Sequence, residues 1–218
     1  HMGVKAEHAI RYIDEKRDLI VGVSDKIWEY AEVALHEERS AALLAKVLAG
    51  EGFNVAMGVG GMPTAFVAGW GSGRPVIGFL GEYDALAGVS QKARPEREEL
   101  VPGGAGHGCG HNLLGAGALG AAIGLRHEME VRNLPGTVKY FGCPAEENLS
   151  GKAFMARDGV FDDCDACLTW HPGQVNRVRT GSSLANNAAN FTFFGRSAHA
   201  AGDPHNGRSA LDAVQLMN

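Results

Sequence analysis

The run GAGHGCGHNLLGAGALGAAIGL, residues 104–125, joins a glycine-rich loop holding two histidines and a cysteine to a segment built from Gly, Ala and Leu. The second part has neither proline nor a polar face. It reads as a helix over residues 112–130 whose small side chains let it lie close against a sheet. Glycine adopts backbone conformations that other residues avoid. The loop can therefore curl until Cys109 and His111 face one centre, with no Cβ on Gly108 or Gly110 to obstruct other groups there. A thiolate and an imidazole suit a borderline cation such as Zn²⁺. A cysteine beside a helix N-terminus is also the thiol expected to ionise most readily. The G-x-G-x-x-G match at residues 115–120 lies inside the helix and not at a strand-to-helix turn, which argues against a dinucleotide fingerprint.

Strands flank this run. FNVAM, TAFVAGW and PVIGFLG (residues 53–57, 64–70 and 75–81) read as short strands, the last two as a hairpin across GSGRP. Helical spacing of apolar residues over 6–33 and roughly 37–50 places two helices ahead of them. SQKARPEREEL (90–100) reads as an exposed loop. Beyond the central helix come a strand (TVKYFGC, 137–143), a helix near 149–158 and a strand (ACLTW, 166–170). This alternation predicts an α/β domain over residues 3–180 with a mixed sheet flanked by helices. At 181–218 the pattern changes: NNAANFTFFG (186–195) reads as a strand and GRSALDAVQLMN (207–218) as an amphipathic helix, the start of a smaller α+β domain.

Composition narrows the class. A net charge of -5 without a basic stripe argues against a nucleic-acid partner, and the absence of an apolar run long enough to cross a bilayer argues against a membrane one. The charged N-terminal segment is unlike a signal peptide, His1 and Met2 read as a cloning remnant, and the expected location is cytoplasmic. Four cysteines in a chain of 218 residues are too few for a disulfide framework, so reduced thiols are expected. Cys164 and Cys167 form a C-x-x-C that opens no helix, and it reads as buried structure, not a redox site.

Side chains that bind metals recur at strand ends or in the loops after them: Asp84 in GEYDALAG, Cys109 and His111, Glu147 in CPAEEN, and His171 in TWHPG. Open α/β sheets place ligands there. Glu146 and Glu147 are adjacent and can divide labour, one on a metal and the other shuttling a proton, if the chain turns after Pro144. His171 precedes proline, which holds its backbone extended and restricts where the ring points. His199, in GRSAHAAGDP, reads on its own as a surface histidine.

These five motifs, in this order from residue 81 to 204, resemble the di-metal aminoacylase and carboxypeptidase-type amidohydrolases, most closely the branch that includes p-aminobenzoyl-glutamate hydrolases. The resemblance implies two divalent ions (Zn or Mn) bridged by Cys109, with His111, Glu147 and His171 as further ligands. A last histidine ligand would lie beyond Asn218 in a longer chain. It implies Asp84 as the group that orients a ligand and Glu146 as general base. His199 would stabilise an oxyanion from a lid domain that also forms a homodimer or heterodimer. The expected substrate is an N-acyl or aminoacyl amino acid, p-aminobenzoyl-glutamate-like or a dipeptide. The alternative is a non-catalytic scaffold or partner subunit that retains the metal-binding fold. Asn112 is expected to cap the helix that follows it.

Overall fold

The computed structural model describes residues 6–178, 180–182, 184–185 and 187–218. The chain divides into two compact units, His1–Gln174 and Val175–Asn218. The first opens with helices α1 (Glu7–Glu15), α2 (Arg17–Tyr30) and α3 (Glu38–Gly50). Strands β1 (Asn54–Met57), β2 (Phe66–Ser72) and β3 (Val76–Glu82) follow, and then a stretch without helix or strand that reaches α4 (His111–Val131). After α4 come β4 (Gly136–Cys143), the short helices α5 (Glu146–Leu149) and α6 (Gly151–Arg157), and β5 (Ala166–Leu168). The second unit contains α7 (Ala210–Met217).

The five strands form one mixed sheet in the order β1-β2-β4-β3-β5. The expected β2–β3 hairpin does not form. β4 runs between them, antiparallel to β2 (Phe66↔Gly142 through Ser72↔Gly136) and parallel to β3 (Val76↔Thr137 through Glu82↔Cys143). The physical reason lies in the turn: Pro75 has no N–H to offer a ladder with β2, and its carbonyl accepts Thr137 N–H at 2.9 Å, which seats β4 in the gap. β5 pairs parallel with β3 over three residues.

Side chains alternate across β4. Val138 and Tyr140 join Ile27, Leu44, Leu48, Phe66, Leu119 and Ile123 in the core between the sheet and helices α2 to α4. Phe141 and Cys143 face the other way and pack with Met62 and Met155. This period of two is what a strand buried on both faces requires. Cys164 is only partly buried and Cys167 exposed, contrary to the expected burial, because β5 is an edge strand whose residues are all exposed. No strand forms among the described residues of 186–195 (Asn186 lies outside them); Arg196 and Arg208 instead exchange backbone hydrogen bonds as an isolated bridge. Among the described residues no helix is long and apolar enough to cross a membrane.

The small residues of α4 let it approach the end of β3. A Cβ at Gly115 would lie 2.7 Å from the Glu82 carbonyl oxygen, a backbone atom that cannot swing aside. Gly115→Ala is therefore expected to lower stability by about 1–2 kcal/mol net, overpacking outweighing the better helix propensity of alanine. Urea denaturation checks this, and a variant as stable as the wild type would show that the close approach does not depend on glycine.

Candidate metal centre

The C-terminal ends of the three parallel strands converge on the N-terminus of α4. β3 ends at Glu82 and leads to Asp84, β4 leads to Glu146 and Glu147, β5 leads to His171, and the loop before α4 supplies Cys109. Gly110 sits in the left-handed region at φ 80°, where a Cβ would also approach Pro172 to 3.0 Å. Glycine at this position thus lets the cysteine loop and the His-Pro loop meet. The helix begins at His111 with no side-chain cap; Asn112 lies inside it and donates to Ser24 Oγ at 3.0 Å instead of capping.

Cys109 Sγ lies 3.3 Å from His171 Nε2, and Cys109, His111 and His171 each bring a ligand atom within 4.8 Å of the others. A second such group joins His111 to Glu82 and Glu146. Asp84 is buried at the hub: its Oδ1 lies 2.8 Å from His111 Nδ1 and its Oδ2 accepts Glu147 N–H at 2.9 Å. Glu147 Oε1 is buried without a hydrogen-bond partner, 3.9 Å from His111 Nδ1. The turn needed after Pro144 is present. Ala145 adopts φ 58°, and α5 starts directly after it with the glutamate pair in its first turn. His199 lies in the second unit, exposed, and its Nδ1 accepts the N–H groups of Ala201 and Gly202.

The electrostatics test whether these donors suit a cation. With Nδ1 bonded to Asp84, a neutral His111 presents a lone pair on Nε2. That atom is buried and makes no hydrogen bond, yet it faces Glu82 Oε2 at 3.0 Å and Glu146 Oε2 at 3.8 Å. A lone pair against two carboxylates is repulsive unless positive charge sits between them. Without a metal, a proton takes that place: burial works against it, but the Asp84 and Glu82 carboxylates override burial and push His111 up to about 10. The donor set and its charge therefore fit a divalent cation.

Cys109 departs from its expected ready ionisation. Burial, followed by the carboxylates of Glu147, Glu146 and Glu82, pushes the thiol up to about 11. The acids facing it outweigh the helix terminus beside it, so the thiolate needs a cation as partner.

Three residues of the site went unread in the sequence. Glu82 is buried; despite desolvation, His111 and Lys152 hold its carboxyl at about 2. Lys152 is ion-paired to Glu82. Glu37, wholly buried, accepts Ala145 N–H at 2.7 Å. Glu82 carried a faint signal, an acid closing a continuous apolar strand; Lys152 and Glu37 lie in polar stretches that read as surface.

The comparisons with known proteins agree with this arrangement. The description peptidase family M20/M25/M40 matches residues 78–211. The chain is 50% identical to one of the two subunits of the p-aminobenzoyl-glutamate hydrolase of Escherichia coli, over 95% of its own length and 44% of that protein's. It is 32% identical to the Xaa-Arg dipeptidase of Mus musculus over 95% of this chain and 47% of that one. The chain thus spans less than half the length of these relatives. A solved dinuclear metal-binding peptidase of Bacillus subtilis shares the fold with a TM-score of 0.57 at 23% identity, over 71% of this chain and 42% of that chain. Motif order, sheet topology, the profile match over most of the chain and half-identity to a curated member together place the protein in the peptidase family M20/M25/M40.

Proposed function

We propose that this chain carries the greater part of the metal centre of an amidohydrolase that cleaves the amide bond of an N-acyl or aminoacyl amino acid. Cys109, His111, Glu147 and His171 would hold two divalent ions, Zn²⁺ or Mn²⁺. The observation that carries the reading is the convergence of Cys109, His111 and His171 beside the glutamate pair, with an unpaired imidazole nitrogen among carboxylates. A divalent cation held there supplies Lewis acidity, which eases ionisation of water and polarises an amide carbonyl.

The chain's own groups do the rest. Glu146 keeps a side chain 39% exposed, enough to meet a substrate, while burial and the nearby Glu82 charge raise its pKa. A carboxylate so tuned takes a proton from the attacking water and returns it to the leaving nitrogen. Asp84 orients two ligands at once, the His111 ring and the Glu147 main chain. His199 accepts two N–H groups at Nδ1, so its neutral ring carries hydrogen on Nε2, a donor suited to an oxyanion. It would act from residues 181–218, the start of a lid through which a homodimer or heterodimer forms. The E. coli relative is named as one subunit of a hydrolase, which supports a partner, and the substrate in that name supports a p-aminobenzoyl-glutamate-like or dipeptide ligand.

Elemental mass spectrometry on protein purified without chelator tests this reading, combined with hydrolysis of p-aminobenzoyl-glutamate and a dipeptide panel. Bound Zn or Mn, with hydrolysis that a chelator abolishes, is the expected result. Metal without hydrolysis of any substrate would favour a non-catalytic scaffold, and protein free of metal after incubation with Zn²⁺ or Mn²⁺ would overturn the reading.

A further inference from the structure

Glu37 stands 108 positions before Ala145 in sequence, at the start of α3, and is wholly buried. Its Oε1 accepts Ala145 N–H at 2.7 Å and its Oε2 accepts the Thr64 hydroxyl at 3.1 Å. The Thr64 carbonyl in turn accepts the hydroxyl of Tyr83, the residue between Glu82 and Asp84, at 2.6 Å. One carboxylate thus ties the segment before the glutamate pair to the segment that carries the other two acids.

The tie lies where the backbone is least content. Ala145 occupies the left-handed region at φ 58°, ψ 34°, which costs an L-residue about 1–2 kcal/mol. Its carbonyl accepts Leu149 N–H at 3.0 Å and Gly151 N–H at 3.3 Å, closing α5 back on itself. Gly151 permits this return, since a Cβ there would meet the Pro144 carbonyl oxygen at 2.0 Å. Two N–H groups at the start of this strained turn bond to buried carboxylates: Ala145 to Glu37 and Glu147 to Asp84. If Ala145 relaxed to a right-handed conformation, the backbone bearing Glu146 and Glu147 would rotate and neither side chain would keep its aim.

We propose that Glu37 is a positioning residue for Glu146 and Glu147: by holding the Ala145 N–H it fixes the left-handed turn that points both carboxylates into the His111 site. The consequence for metal binding rests on the proposed role of Glu147 as a ligand; the clamp on the turn does not. Glu37 needs an acceptor of the right length more than it needs charge, because both of its bonds come from neutral donors. Glutamine keeps that acceptor for Ala145, and its amide can donate to Thr64 Oγ1. Alanine removes it, and aspartate draws it back by one methylene.

Hydrogen exchange read by mass spectrometry, with a chelator present, tests the clamp on the metal-free protein. In Glu37→Ala the amides of residues 145–151 are expected to exchange on the order of 10- to 100-fold faster, as loss of a buried hydrogen bond to a charged acceptor implies. Glu37→Gln should stay within about threefold of wild type on the same measure. Metal affinity from competition with a chromophoric chelator should fall on the order of 10- to 100-fold in Glu37→Ala and recover in Glu37→Gln, the range for loss of a group that supports a ligand. Should Glu37→Ala open the whole sheet, seen as fast exchange in β3 and β4, Glu37→Asp is read in its place with the same expectation. Unchanged exchange over 145–151 in a folded variant overturns the clamp. Faster exchange with wild-type metal affinity overturns the positioning role. A wild type that binds no metal refutes the metal reading, and exchange alone then decides whether Glu37 holds the turn.

Discussion

Glu146→Gln lowers turnover by about 10²- to 10⁴-fold, the contribution of a general acid–base group, and leaves metal content unchanged. Glutamine matches glutamate in size and can neither take nor give the proton. The substitution touches little else: the Glu146 side chain is 39% exposed, and its contact with His111 is the longer of the two carboxylates facing Nε2, 3.8 Å against 3.0 Å for Glu82. The pH profile sharpens the test. Burial and Glu82 raise the carboxyl above its ordinary range, and a general base works only when ionised. Wild-type kcat therefore falls on the acid side at a pH above that of an ordinary carboxylate, and the residual rate of the variant lacks that limb. The measurement is kcat against pH on whichever substrate the hydrolysis panel identifies, with metal content determined on the same samples. A variant within threefold of wild type, its acid limb intact, would remove Glu146 from the proton path.

Most of the site was legible because its chemistry sits in short motifs that mark strand ends. Cys109, His111, Glu146, Glu147 and His171 could each be named from GHGCGHN, CPAEEN and TWHPG, and the turn after Pro144 followed from the need for two adjacent acids to act together. What escaped depended on partners distant in sequence. GSGRP carries the signals of a hairpin, and whether β2 pairs with β3 or makes room for β4 is decided by residues 136–143, which no local pattern around 71–75 reveals. The Cys109 thiol was misjudged for the same reason: its helix neighbour is adjacent in sequence, whereas the carboxylates that raise it come from residues 82, 146 and 147. Lys152 and Glu37 are charged residues in polar surroundings on paper, and only the fold shows that one is ion-paired to a buried acid and the other is itself buried.

His111→Ala, with metal removed by chelator, is expected to lower the unfolding free energy by about 3–5 kcal/mol, the cost of breaking a buried ion pair by deleting one partner. The imidazole is wholly buried, and the carboxylates of Glu82 and Asp84 beside it are 9% and 0% exposed. Removing the ring leaves Asp84 without its cationic partner and Glu82 with Lys152 alone, while the lost volume adds a cavity to the electrostatic penalty. The sign of the pH dependence follows from the protonated ring. His111 is raised in the folded protein from 6.5 to about 10, so its contribution is fully present below pH 6.5 and is lost as pH rises toward 10. The gap between wild type and variant in urea denaturation should therefore narrow from pH 7 to pH 10. A gap below about 1 kcal/mol at pH 7, or one that widens with pH, would mean that His111 is not the charge that balances these acids. Metal reverses the pattern for the wild type. A divalent cation competes with the proton for Nε2, so saturating Zn²⁺ should stabilise the wild type more as pH rises and the proton leaves, and should do far less for a variant that has lost the central ligand.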